Sequence, residues 1–114
     1  MTKEIAVFSS SALRSVILRV REAGYQFRNP TTAKITGFDS AGDRCELATE
    51  DDAIGFLRDG NGLQLWANES EDVFVSTESG GTRVYFDGFT FDESQQLMQV
   101  FQVAGLSFTL DYDY

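Results

Sequence analysis

GLQLWANESEDVFVSTESGGTRVYFD, residues 62–87, decides the fold class. It holds three short runs rich in aliphatic, β-branched and aromatic residues: Leu63–Ala67, Val73–Thr77 and Arg83–Phe86. Such residues fit a pleated, half-buried surface. Turn residues part the runs, Asn68 to Asp72 first and Ser79-Gly80-Gly81 second. The Gly-Gly pair tolerates the positive φ of a tight hairpin, so the stretch predicts a three-stranded antiparallel meander. Its loops and outward positions are acidic: Glu69, Glu71, Asp72, Glu78 and Asp87.

Downstream, Thr90-Phe91-Asp92-Glu93 has the form of a capping box and opens a helix expected over Asp92–Ala104. Leu97, Met98, Phe101 and Ala104 recur at helical spacing as its buried stripe, widened by Val100 and Val103. After Gly105 the chain alternates strictly to its end. Phe108, Leu110, Tyr112 and Tyr114 fall on one side, and Thr109, Asp111 and Asp113 on the other. A period of two predicts a half-buried strand.

Upstream, Thr49-Glu50-Asp51-Asp52 caps a short amphipathic helix carrying Ala53, Ile54, Phe56 and Leu57. Before it, Ala33–Phe38 and Arg44–Ala48 read as a hairpin around the Asp39–Asp43 loop, and Asn29-Pro30 marks a turn. Leu13, Val16, Ile17, Val20 and Ala23 make the stripe of a helix over Ser11–Ala23, with Arg14, Arg19 and Arg21 on its solvated side. Glu4–Phe8 is open to two readings, a first strand or an N-terminal extension of that helix. The two long helices end alike, Ala23-Gly24-Tyr25-Gln26-Phe27 against Ala104-Gly105-Leu106-Ser107-Phe108, and a shared glycine cap accounts for the match.

These elements predict a single α+β domain over residues 1–114. The sheet is expected to be mainly antiparallel with about five or six strands. Two longer helices lie on one of its faces, with a short third helix beside them.

Charge and missing residue types narrow the function. The net charge is -9, and it is uneven: residues 1–49 carry +2 and residues 50–114 carry -11. Such a field repels nucleic acid and anionic membranes and attracts a basic protein. The chain has no histidine, so the usual neutral-pH general base and metal ligand are missing. No phosphate loop, nucleophile elbow or dinucleotide fingerprint occurs. Asp59 and Asn61 faintly suggest a calcium loop, but Leu63 takes the next ligand position and Ser70 the closing one. No metal and no cofactor are expected. Cys45 is the only cysteine and reads as a small buried hydrophobe. Without a signal peptide or a membrane-length apolar run, a cytoplasmic protein is expected.

What remains is an interleaving of aromatic and acidic residues on strands and their edges. The candidate partner-binding residues are Trp66, Glu69, Glu71, Asp72, Glu78, Tyr85, Asp87, Asp111, Tyr112 and Asp113. Aromatics anchor and carboxylates steer, so the expectation is a non-enzymatic binding protein that blocks a basic partner through one sheet face or edge. An immunity or antitoxin-like inhibitor of a toxin or nuclease is the form expected, with carboxylates that imitate nucleic-acid phosphates as a variant. The alternative is a structural or regulatory module that self-associates, for instance as a homodimer, through an edge strand. A carboxylate-based enzyme is the outsider.

Overall fold

The structure, a computed structural model, describes residues 3–8, 13–68, 71–78, 81–85 and 98–113. Seven strands form one sheet: β1 (Lys3–Phe8), β2 (Ile35–Phe38), β3 (Arg44–Leu47), β4 (Gly62–Trp66), β5 (Asp72–Glu78), β6 (Gly81–Tyr85) and β7 (Thr109–Asp113). Their order is β3-β2-β4-β5-β6-β1-β7, and every neighbouring pair is antiparallel. The α+β architecture and antiparallel sheet agree with the sequence. Lys3–Phe8 is a strand rather than a helical extension, and it inserts between β6 and β7.

The meander β4-β5-β6 forms where the turn residues placed it. Asn68 closes the first turn by accepting the Glu71 N–H on its side chain, while Ala67 N–H bonds Glu71 O at 2.9 Å. Gly81 opens β6 at φ 120° and pairs with Glu78, the last residue of β5. Period-two alternation then divides the sheet. Ala6 and Phe8 of β1, Leu63 and Leu65 of β4, Val73 and Val75 of β5, and Val84 of β6 are all buried on one face.

Helices cover that face. α1 (Leu13–Glu22) buries Val16, Ile17 and Val20, with Leu13 and Ala23 packed at the rim. α2 (Glu50–Arg58) buries Ala53 and Leu57. It is capped by the Thr49 hydroxyl, which accepts the Asp52 N–H at 3.1 Å, and Glu50, Asp51 and Asp52 occupy its positive end. α3 spans 98–103 and buries Met98 and Phe101. Residues 92–97, where the sequence starts this helix, lie outside the described ones. Val103 does not widen the stripe: it is 81% exposed, because the helix turns it away from Phe8 and Phe108, against which Phe101 packs at 4.8 and 5.8 Å between ring centroids.

The matching helix ends are the same motif twice. Gly24 and Gly105 have φ of 105° and 75°. Tyr25 N–H bonds Val20 O and Gly24 N–H bonds Arg21 O, while Leu106 N–H bonds Phe101 O and Gly105 N–H bonds Gln102 O. This is the Schellman pattern, in which a left-handed residue lets the chain turn back and satisfy the last carbonyls. After the first cap, Tyr25 and Phe27 enter the core and Gln26 bridges Trp66. After the second cap, Phe108 joins the ring cluster and the chain enters β7.

Gly24→Ala puts a side chain in the left-handed region without a steric clash, since no atom lies within 4 Å of the added Cβ. The expected cost is about 1 kcal/mol in urea unfolding, with an unchanged m-value.

Candidate functional site

The face of the sheet opposite the helices carries a different set of residues. Register places them in rows across the strands. One row runs Gln64, Phe74, Tyr85, Ile5 and Asp111. The next towards the meander's first turn pairs Trp66 with Asp72, and Asp113 stands opposite Lys3 at the far edge. On the other side lie Phe38, Gly62, Ser76 and Arg83. No helix among the described residues covers these positions.

A recess of about 600 Å³ opens on this face, lined by Phe38, Asp39, Ser40, Gly42, Gln64, Asp72, Phe74 and Tyr85. Three rings form its walls. Phe74 meets Phe38 edge-on at 5.8 Å and Tyr85 at 5.6 Å between centroids. Phe74 reaches that position because Gly62 has no side chain: a Cβ there would overlap the ring. Glycine in a strand commonly marks such a close approach.

Two half-buried carboxylates border the rings, and each is held by one oxygen. Asp39 Oδ1 accepts the N–H groups of Ala41 and Asp43, both at 2.9 Å, which fixes the turn between β2 and β3. Asp72 Oδ2 accepts from Gln64 Nε2 at 2.9 Å. Neither is in an ion pair among the described residues. The ion pairs between described residues lie elsewhere: Arg19 with Glu22 at 2.8 Å, Arg21 with Glu50 at 3.5 Å and Lys34 with Glu46 at 3.1 Å. Arg21 also stacks over Phe27, 5.2 Å from its centroid.

The ten candidate residues separate on this frame. Asp72 and Tyr85 line the recess, and Trp66 is the cross-strand neighbour of Asp72. Trp66 is half-buried, and its indole Nε1–H is buried without a hydrogen-bond partner among the described residues. Asp111 and Asp113 stand at register positions of the same face, in the outermost strand. Tyr112 alternates with them and pairs with Glu4, which is the register of the helix-covered face. Glu71 belongs to the turn before β5, and Glu78 ends that strand. Glu69 and Asp87 lie outside the described residues.

Phe38, Asp39, Ser40, Gly42, Gln64 and Phe74 complete the recess and are not among the residues singled out by sequence. For Phe74 a signal existed: in Asp72-Val73-Phe74-Val75-Ser76 it alternates with the two valines and so shares a face with Asp72 and Ser76.

Cys45 lies beside this site on the other face, across from Gly37, and is half-buried rather than enclosed because β3 is an edge strand. Burial, and behind it the negative charges of Asp39 and Asp43, push its thiol above the ordinary value. Among the described residues no group of three or more His, Cys, Asp or Glu side chains is placed to hold a metal ion. No described helix is long and apolar enough to cross a membrane. No protein family matches the sequence, and no curated protein and no solved structure is significantly similar to the chain.

Gly62→Ala should drive the Phe74 ring off its seat, seen as a changed ring-proton environment at Phe74 and Tyr85, with a cost of about 1–3 kcal/mol. Alkylation of Cys45, which needs the thiolate, should be slower than that of a cysteine peptide at mildly alkaline pH. Asp39→Asn removes one of the repelling charges, so it should lower the thiol pKa and speed the reaction. Because the folded value is the raised one, any stability tied to Cys45 is complete below the ordinary thiol range. It declines as pH rises through the folded value.

Proposed function

We propose that this chain is a non-catalytic binding protein that captures a basic protein partner on the uncovered sheet face, as an inhibitor or immunity-type antidote does. The observation that carries this reading is the recess, where Phe38, Phe74 and Tyr85 meet Asp39 and Asp72 without a counter-ion among the described residues. Aromatic anchors on a rigid sheet suit an interface core, and unpaired carboxylates suit a cationic partner. Asp111 and Asp113, on the same face by register, extend the negative field beyond the recess. With a net charge of -9, that field also accelerates encounter with a basic surface. A basic active site, such as one that handles phosphates, is a fitting target, and such an enzyme in the cytoplasm is the setting this reading implies.

The sheet edges are less suited to self-assembly. β3 is four residues long and alternates charged Arg44 and Glu46 with Cys45 and Leu47, and β7 carries Asp111 and Asp113. Short, charged edge strands discourage strand addition.

Capture from an extract of the encoding organism, followed by kinetics with the purified partner, tests the proposal. The partner should be basic, its own activity should fall on binding, and the association rate should drop about tenfold from low to high salt. Asn in place of both Asp111 and Asp113 should slow association while leaving the melting curve in place. A self-associated species that salt leaves unchanged, with no heterologous partner, would instead assign the chain to self-assembly.

A further inference from the structure

We propose that the recess on the uncovered face receives one arginine side chain of a partner protein, its guanidinium placed against the rings of Phe38, Phe74 and Tyr85 and bonded to Asp72, with Asp39 adding negative charge at the far end of the recess. This inference rests on the capture of a basic partner and names the group that is captured.

The walls set the chemistry. Aromatic faces carry negative potential and attract a cation, more strongly where water is displaced. The three rings are mutually tilted, at 66° between Phe38 and Phe74 and 58° between Phe74 and Tyr85, so they border the recess instead of stacking shut. Carboxylates beside a ring add in-plane acceptors. Each has an oxygen already committed, Asp39 Oδ1 to two backbone N–H groups and Asp72 Oδ2 to Gln64, which sets its orientation. The remaining oxygens take no hydrogen bond from any described residue. Arg44 and Arg83, on the same face by register, do not line the recess.

A guanidinium matches this arrangement better than an ammonium. It is flat, so one face stacks on a ring while the N–H groups at its edge reach the carboxylate beside it. A lysine ammonium is compact and strongly hydrated, and it gains less from a ring wall. The held carboxylates and the seated Phe74 ring also mean that little ordering accompanies binding, which favours affinity.

The test uses N-acetyl-arginine N-methylamide as the probe, titrated into the full chain and followed through the ring signals of Phe38, Phe74 and Tyr85. The lysine and citrulline counterparts serve as comparisons. The arginine probe should saturate shifts at those rings, and the uncharged citrulline counterpart should bind at least about tenfold more weakly. Asp72→Asn keeps an acceptor for Gln64 and should also weaken binding about tenfold. Tyr85→Leu removes one ring wall, should weaken binding several-fold as read at the remaining rings, and serves if the first variant folds poorly. Equal binding of the citrulline counterpart, or shifts that avoid the three rings, would overturn the site, and equal binding of the lysine counterpart would overturn the guanidinium assignment. If the probe fails while a basic partner is still captured in a salt-dependent way, the recess assignment falls and partner capture stands. If the probe binds but no basic partner is held, the partner claim falls.

Discussion

Everything in this molecule hangs on one row of residues that crosses the whole sheet. Cys45, Gly37, Leu63, Val75, Val84, Ala6 and Leu110 are register partners in succession from β3 to β7. Leu63, Val75, Val84 and Ala6 at its centre are inaccessible to solvent. Each buried aliphatic side chain there contributes on the order of 1.5–3 kcal/mol, and the contribution exists only in this register. A slip of one residue in any pair would move a strand's apolar set to the opposite face. The row therefore fixes which residues face away from the helices, and with that it fixes the recess. Phe74 and Tyr85 face outward because Val75 and Val84 face inward.

The same alternation explains how much of the fold could be read. The meander, the hairpin β2-β3 and the three helices depend on local signals: turn residues, caps and periodicity within a dozen residues. Those signals are strong at Thr49, at Gly24 and in the Leu63–Tyr85 stretch. Strand order depends on non-local pairing, and nothing in Glu4–Phe8 announces that it separates β6 from β7. That insertion serves the core: Ala6 is buried beside Val84, and Phe8 supplies the ring against which Phe101 and Phe108 pack. The site was partly legible for the same reason. Asp72 and Tyr85 stand out as acid and aromatic within the meander. Phe38 and Asp39 reach them only because β2 pairs with β4 across α2, a contact that sequence spacing does not reveal.

Charge in this chain is segregated by structure as well as by sequence. Its basic residues are concentrated in the first half, and several are consumed locally. Arg19 binds Glu22, Arg21 binds Glu50, and Arg28 donates to the carbonyls of Ala33 and Ala48, tying the 29–34 turn to the end of β3. Exposed pairs of this kind contribute little to stability. Their larger effect is on the field: they neutralise acids on the helical side and at the β3 edge, so the excess negative charge is left to the rest of the surface. Asp39 and Asp72 then act as charges without a counter-ion among the described residues, in a setting where rings partly exclude water and strengthen their pull.

Asp39 also shows why such carboxylates persist at a cost. Its Oδ1 holds the tight turn from β2 to β3, so the residue has a folding role independent of any ligand. An asparagine would serve that role almost as well, since it offers the same acceptor. It would remove a negative charge that raises the Cys45 thiol and that stands unpaired among the described residues. Folding alone therefore does not account for the charge at this position. In the proposed binding mode the charge has a use, because it adds to the field that draws a cation to the uncovered face.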